Sequence, residues 1–214
     1  LLGLLSLILI LTVSRGAYLG AAATLALLVV TFPRETFQPR HILAGLSLLI
    51  VLMVGTSLFI AQGREDAIEQ FQEHVTIGDL SEGESTQGRL KAFGQAYAAW
   101  EDHPWLGIGL GNFGGYVKVY PDPRDLESFD IVNNQYLETL AETGLIGFLA
   151  LAVLVAILLS RSVVAFGSTQ DPLVRASIAA TTADFVGLLV QYNFFSTLFI
   201  IHVWVLIGFM IATK

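Results

Sequence analysis

The chain has 214 residues, of which 54% are hydrophobic and 14% are charged, with a mean hydropathy of +0.69 and a formal net charge of −7 at pH 7. Soluble domains carry about 25% charged residues, so the composition excludes an ordinary soluble domain and indicates a membrane protein. Cysteine is absent, which excludes disulfides and thiolate chemistry within this sequence.

Apolar runs define the predicted membrane helices, because a helix needs about 20 apolar residues to cross about 30 Å of hydrocarbon. The run Leu1–Val13 is too short to span by itself, and we interpret it as the tail of a helix that starts upstream in a longer protein. The chain is therefore predicted to be an all-α polytopic membrane protein with this partial helix and a large helical outer loop. The five complete spans are predicted at 16–32, 42–61, 144–160, 174–191 and 197–213.

The distribution of charge predicts the orientation of these helices, since Lys and Arg are retained on the cytoplasmic side. Residues 62–133 contain five basic and thirteen acidic residues, a net charge of −8, and are expected outside, in the periplasm. The basic residues assigned to the cytoplasmic side are Arg34, Arg40, Arg161, Arg175 and Lys214.

Three regions follow from this topology. Residues 1–61 are predicted to be transmembrane helices with a short cytoplasmic loop. Residues 62–143 are predicted to be a periplasmic loop that carries short helices and the active site, and residues 144–214 three C-terminal transmembrane helices.

Arg15 lies at the predicted outer end of span 16–32, on the same side as the large loop. An arginine costs about 2.5–3.5 kcal/mol at the bilayer centre by insertion scales and much less at the interface. Two interpretations stay open for it: an interfacial arginine whose stem lies along lipid, or a ligand-binding group.

A helix is predicted from Thr86 to the residues before Pro104. Its apolar residues recur every three or four positions and predict one apolar stripe, made of Leu90, Phe93, Tyr97 and Trp100. This stripe is expected to pack on neighbouring protein or to lie flat in the membrane interface. Arg89 falls in the predicted first turn, where backbone amides and a guanidinium together favour an anion such as phosphate. The glycines of residues 103–116 are expected to let the backbone turn tightly against another surface.

Other polar residues have weaker claims. His103 adjoins Asp102 and is the one histidine near a carboxylate, but His–Pro at a helix end is more typical of a C-terminal cap. Asp184, inside span 174–191, is expected to face a cavity or a partner helix. The segment Asn133–Gly147 combines amides, a tyrosine and two carboxylates where the polar loop meets the next apolar run.

Three motifs together resemble the bacterial O-antigen ligase and polysaccharide polymerase family. They are SRGAYL at 14–19, the pattern GR…W…HPWLGIGLGNF at 88–113, and NNQYLETLAETGLIG at 133–147. Each is short and apolar, but their order, spacing and common outer side are specific, and the resemblance covers nearly the whole chain.

The resemblance implies a metal-independent glycosyltransferase of the bacterial inner membrane, without a cofactor. Its donor would be a glycan linked to undecaprenyl diphosphate in the lipid membrane, and its acceptor another glycan or the lipid A core; no nucleic acid is implied. At the matched positions, Arg15 and Arg89 are expected to bind the donor diphosphate and stabilise charge that develops on it.

Asn133 departs from the ligase pattern, in which histidine precedes the Asn-x-Tyr/Phe-Leu residues. Asparagine cannot take a proton at neutral pH, so the departure favours a polymerase over a ligase. A transporter or flippase fragment lined by Asp184 is the alternative from another class. The residues expected to act in catalysis are Arg89, Asn133 and Glu138, with Glu142 as a second possible base. The expected substrate-binding residues are Arg15, Arg89, Asn134 and Tyr136.

Overall fold

A computed structural model of the protein describes residue 9 and residues 14–32, 84–119, 131–196 and 198–212. All regular secondary structure with bounds in these ranges is helical. The predicted span 42–61 lies outside the described residues, as does nearly all of the run Leu1–Val13. The helices are α1 (Arg15–Thr31), α2 (Glu84–Asp102), α3 (Phe113–Val119), α4 (Gln135–Ser168), α5 (Pro172–Gln191) and α6 (Ile201–Ala212).

Helix α1 packs along α5. It begins at Arg15 because the Ser14 hydroxyl caps it, accepting a hydrogen bond from the Ala17 N–H at 3.3 Å. The two backbones meet at Gly20 and Gly187, where a Cβ atom on Gly20 would lie 2.9 Å from the Gly187 carbonyl oxygen. Small residues at such a crossing let membrane helices approach closely.

Helix α4 is bent at Gly144, which has φ 64° and ψ −167°. The bend divides α4 into a first leg, 135–143, and a second leg, 145–168. Tyr136 on the first leg and Leu154 on the second pack against the same apolar cluster, whereas a straight helix would place them about 27 Å apart. The bend therefore turns the first leg back toward the second.

The buried apolar side chains form two clusters. The membrane cluster joins the second leg of α4 with α5 and α6, and consists of Leu158, Phe185, Leu188, Tyr192, Val203, Ile207 and Met210. The outer cluster joins α2, α3 and the first leg of α4, and consists of Ala96, Ala99, Phe113, Val117, Val132 and Ala141. The first leg contributes to both, so it connects the polar segment to the apolar bundle.

Two of the described helices, α4 and α5, are long and apolar enough to cross a membrane, while α1 and α6 are apolar but shorter. Helices therefore occur at the predicted spans 16–32, 144–160 and 174–191, and at 197–213 a helix begins only at Ile201. The count of five complete transmembrane helices and the periplasmic side of the loop stay predictions.

One prediction about α2 was wrong, and another was confirmed only in part. The helix begins at Glu84, so Arg89 lies in its second turn, where its backbone N–H is no longer among the unpaired amides of a helix start. The buried face of α2 is made of alanines, Ala92, Ala96 and Ala99, each 1–2% exposed, while Leu90 and Tyr97 of the predicted stripe are 58% and 50% exposed. Phe93 of the same stripe packs against the outer cluster and Trp100 is half-buried, so the stripe packs on protein only in part.

Candidate active site

The N-termini of α1 and α4 lie at the same end of the bundle. A Cβ atom on Gly16 would lie 2.6 Å from Cβ of Phe194, which follows α5. The preceding residue, Asn193, accepts a hydrogen bond through its carbonyl oxygen from the Asn134 side-chain amide at 3.4 Å. Arg15, the first residue of α1, is thus brought to the same end as the polar segment Asn133–Glu142.

The opposite end of these helices carries other arginines. The Arg175 guanidinium lies 4.3 Å from the centroid of the Phe166 ring, and that ring packs edge-on against Phe32, just after α1. Arg161 is exposed on the same part of α4. Two basic residues assigned to the cytoplasm, Arg161 and Arg175, are therefore at the end away from Asn134.

Hydrogen bonds hold the start of α4 on the C-terminal end of α5. Asn134 caps α4, its side-chain oxygen accepting from the Tyr136 and Leu137 N–H groups, both at 3.1 Å. The Tyr136 hydroxyl donates to the Leu189 carbonyl oxygen at 2.6 Å. The polar groups of Asn134 and Tyr136 are thus occupied by the fold.

Gln135 ties the same segment to the loop before α6. Its backbone N–H donates to the Tyr192 carbonyl oxygen at 2.8 Å, and its side-chain oxygen accepts from the Leu198 N–H at 2.7 Å. Its side-chain amide also donates to the Thr139 hydroxyl at 3.3 Å. Gln135 is buried, so these bonds satisfy a polar side chain that has little access to water.

Asn133 differs from its neighbours in two respects. Its φ of 56° is in the left-handed region, where asparagine is among the better tolerated residues after glycine. Its side chain is half-buried and makes no hydrogen bond to any part of the chain that the structure describes. The Asn133 amide is therefore held by its backbone at a fixed place with its donors and acceptor available.

Glu138 and Glu142 lie one helical turn apart on the first leg of α4, and both are buried. A Glu138 carboxylate oxygen accepts from the Val132 N–H at 3.1 Å, and a Glu142 oxygen accepts from the Phe113 N–H at 3.1 Å. Each carboxylate thus fixes the backbone of a segment that packs on the leg.

The glycine loop, defined as residues 103–112, pairs with the bend of α4. The Ile108 and Gly109 N–H groups donate to the carbonyl oxygens of Ala141 and Glu142 at 3.0 and 2.8 Å, and the Leu145 N–H donates to the Pro104 carbonyl oxygen at 2.8 Å. The bend leaves these groups without helical partners, and the loop supplies them. The expectation that the glycines turn the backbone against another surface is confirmed.

Arg89 is half-buried on α2, the helix that contacts the first leg of α4. Within the described residues, no hydrogen bond joins Arg89 to Asn133. Arg89 therefore shares a helix with residues of the outer cluster, while Asn133, Asn134, Tyr136 and Glu138 lie together at the start of α4.

The remaining polar candidates lie apart from Asn133. His103 is exposed and ends α2, its N–H donating to the Ala99 carbonyl oxygen at 3.2 Å, and its ring packs edge-on against Tyr116. Asp184 is exposed on α5. Within the described ranges, no group of three or more histidine or acidic side chains is arranged to hold a metal ion.

Sequence reasoning missed Tyr192, Asn193 and Leu198, after α5, whose backbone groups are hydrogen-bond partners of Asn134 and Gln135. The sequence there, YNFFSTL, reads as a short interruption between two apolar runs. The polar residues Tyr192 and Asn193 could have indicated a contact there. Their bonds to α4 use backbone carbonyl oxygens, however, and residue type does not predict such bonds.

Comparison with known proteins identifies the family. The family model described as O-antigen ligase matches residues 1–152, which include Arg15, Arg89, the glycine loop and the whole segment Asn133–Gly147. No curated protein matches the chain. The match covers well over half of the 214 residues and includes all three motifs that carry the resemblance. The chain belongs to the O-antigen ligase family.

Proposed function

We propose that the chain is the catalytic part of an inner-membrane glycosyltransferase that polymerises glycan repeat units carried on undecaprenyl diphosphate, at the periplasmic face. Membership of the family implies activity of the ligase or polymerase type. The nature of the acceptor, the undecaprenyl diphosphate carrier and the periplasmic side of the membrane go beyond the family match and are our proposal.

The availability of the Asn133 side chain is the observation that carries this proposal. The polar side-chain groups of its neighbours Asn134, Gln135 and Tyr136 all form hydrogen bonds within the protein. Asn133 alone in this run offers an amide that can bind a sugar hydroxyl or a phosphate oxygen, but it cannot act as a base at neutral pH. This favours positioning of an acceptor sugar over the proton transfer expected of a ligase histidine.

Arg15 and Arg89 are proposed to bind the donor diphosphate. The acceptor hydroxyl attacks the anomeric carbon of the donor, a new C–O bond forms, and the bond to the diphosphate breaks. Undecaprenyl diphosphate leaves with the electron pair and takes up the hydroxyl proton. Two guanidiniums would stabilise the charge on the departing diphosphate without a metal ion.

Glu138 and Glu142 are proposed to position the site. Both carboxylates are buried and accept backbone N–H groups, so a proton taken by either would weaken a hydrogen bond that holds the first leg. Asn134 and Tyr136 have the same supporting role, which revises their expected contact with substrate.

Two other functions have a specific observation in their favour. The description of the matching family favours a ligase that transfers glycan to the lipid A core. The presence of Asp184 on a membrane-length helix favours a transporter fragment, because an intramembrane acid often marks a substrate or ion pathway. The polymerase and the ligase form a glycosidic bond, whereas a transporter does not, and only the ligase needs lipid A core.

Substitution of the arginines tests the diphosphate assignment. In full-length protein expressed in cells that lack it, Arg15→Ala and Arg89→Ala should each reduce polymer on a glycan gel at least about tenfold, the effect of losing about 1.4 kcal/mol of charge-assisted bonding. Arg161→Ala is the matched control, exposed at the opposite end of α4, and should leave the polymer unchanged. Full polymer from both Arg15→Ala and Arg89→Ala would refute the assignment.

A further inference from the structure

The glycine loop presents large apolar side chains away from the protein. Trp105 is 64% exposed, Leu106 73% and Leu110 79%. The family match and the proposed reaction account for the polar residues at the start of α4, but they give these three residues no role.

Backbone contact between the loop and α4 causes this exposure. A Cβ atom on Gly107 would overlap the Glu142 carbonyl group, and one on Gly144 would overlap that of Trp105. The two backbones are so close that no side chain fits between them. The side chains of the loop must therefore point to the sides or outward.

The loop is joined directly to the start of a lipid-facing surface. The Ile146 N–H donates to the Trp105 carbonyl oxygen at 3.3 Å. From Ile146, exposed apolar residues recur every three or four positions along the second leg of α4, a membrane-length helix: Ile146, Leu149, Val153 and Ile157, each about half exposed. Spacing of this kind forms one face of a helix.

We propose that Trp105, Leu106 and Leu110 lie in the outer lipid interface and anchor the glycine loop to the bilayer. The occupant of this surface is membrane lipid, because Trp105 is hydrogen-bonded to Ile146, the first residue of the exposed apolar face of α4. Tryptophan is enriched at this depth, where its ring is apolar and its N–H contacts headgroups. This placement depends on the membrane helices and not on the reaction proposed above.

The anchor has a consequence for the active site. The loop holds the bend by backbone hydrogen bonds at Ala141, Glu142 and Leu145, and the bend orients the first leg that carries Asn133 at its start. Lipid contact at the loop would thus set the height of Asn133 relative to the headgroups, where the diphosphate of a lipid carrier lies.

Depth measurements by spin labelling test this proposal. A nitroxide is attached to Leu106→Cys or Leu110→Cys in the full-length protein, with any other cysteine replaced, in phosphatidylcholine–phosphatidylglycerol vesicles. Its collision rates with oxygen, which concentrates in lipid, and with a water-soluble nickel chelate are compared. Glu101→Cys, exposed at the end of α2, is the aqueous control, and Val153→Cys, on the lipid-facing surface of α4, is the lipid control.

The oxygen-to-nickel collision ratio of both loop labels should lie between the high ratio of the Val153 label and the low ratio of the Glu101 label, as expected at the interface. Two results would overturn the proposal. Preferential collision with nickel at Leu106 and Leu110 would put the loop in water, and low collision rates with both reagents would show that protein covers it. Because no glycan substrate is present, either result leaves the proposed reaction untouched.

Discussion

Asn133 combines a backbone requirement with a chemical one. Asparagine, aspartate and histidine are the non-glycine residues most often found in the left-handed conformation that residue 133 adopts, with φ 56°. The histidine typical of ligases and the asparagine found here therefore suit the same backbone. They differ in proton transfer, since histidine titrates near neutral pH and asparagine does not.

Substitutions at Asn133 separate the backbone requirement from the chemistry. Asn133→Gly keeps the left-handed conformation and removes the amide, so it should leave the melting temperature unchanged and lower product yield about five- to tenfold, the effect of one hydrogen bond of about 1 kcal/mol. Asn133→Ala should lose the same activity and also about 1 kcal/mol of stability. The measurements are thermal unfolding in detergent and the glycan gel.

If Asn133→Gly gives full-length polymer at normal yield, the Asn133 amide has no part in the reaction and the residue is there for its backbone. A fall in yield without any change in melting temperature is the result that supports substrate contact.

The bend of α4 is the element on which the site depends. The apolar spacing of the sequence locates the second leg of α4. The predicted boundary between residues 62–143 and 144–214 lies at Gly144, where α4 bends. Spacing alone cannot locate the partner of the bend. The hydrogen bonds between the glycine loop and residues 141–146 join backbone atoms, so they depend on chain geometry that residue types do not report.

The substitution Gly144→Ala tests whether the site depends on the bend of α4. The change forces alanine into a backbone conformation that is found essentially only for glycine and costs about 1–3 kcal/mol, and it places the alanine Cβ against the Trp105 backbone. The melting temperature should therefore fall by several degrees, and the polymer should be lost. Gly167→Ala is a matched control on the same helix, where a Cβ meets nothing within 4 Å, and should be neutral or slightly stabilising.

Equal melting temperatures for Gly144→Ala and Gly167→Ala would contradict the role given to the bend. A loss of polymer without loss of stability in Gly144→Ala would indicate that the bend moves, and not that it holds the first leg.

Helix α2 marks a limit of sequence reasoning at the element scale. A three- and four-residue spacing of Leu90, Phe93, Tyr97 and Trp100 predicts a helix correctly, but it does not decide which face is buried. Close approach to α4 buries the alanine face with Phe93 beside it, and leaves Leu90 and Tyr97 exposed. Which face is buried depends on how the side chains of both helices fit together, so the sequence of one helix alone does not determine it.

At the scale of the whole molecule, the sequence predicted an all-helical membrane protein and its family. Composition gave the class, because few soluble chains combine this hydropathy with so few charges. The predicted topology also put Arg15, Arg89 and Asn133–Glu142 on one surface. The contacts of Gly16 and Asn134 beside the end of α5 agree with this for Arg15 and Asn134, and the place of Arg89 on that surface stays a prediction. The hydrogen bonds from Tyr192, Asn193 and Leu198 to the start of α4 could not be predicted, because apolar composition does not determine which helices lie side by side.

Formation of glycosidic bonds by the purified protein tests the central claim most directly. Full-length protein is reconstituted in vesicles with undecaprenyl-diphosphate-linked repeat unit as the sole glycan and no ion gradient, and products are sized by gel and mass spectrometry. We predict carrier-linked chains longer than one repeat, with release of undecaprenyl diphosphate and without lipid A core. Product only after addition of lipid A core would identify a ligase, and movement of intact repeat units across the bilayer without any new glycosidic bond would contradict the proposed function.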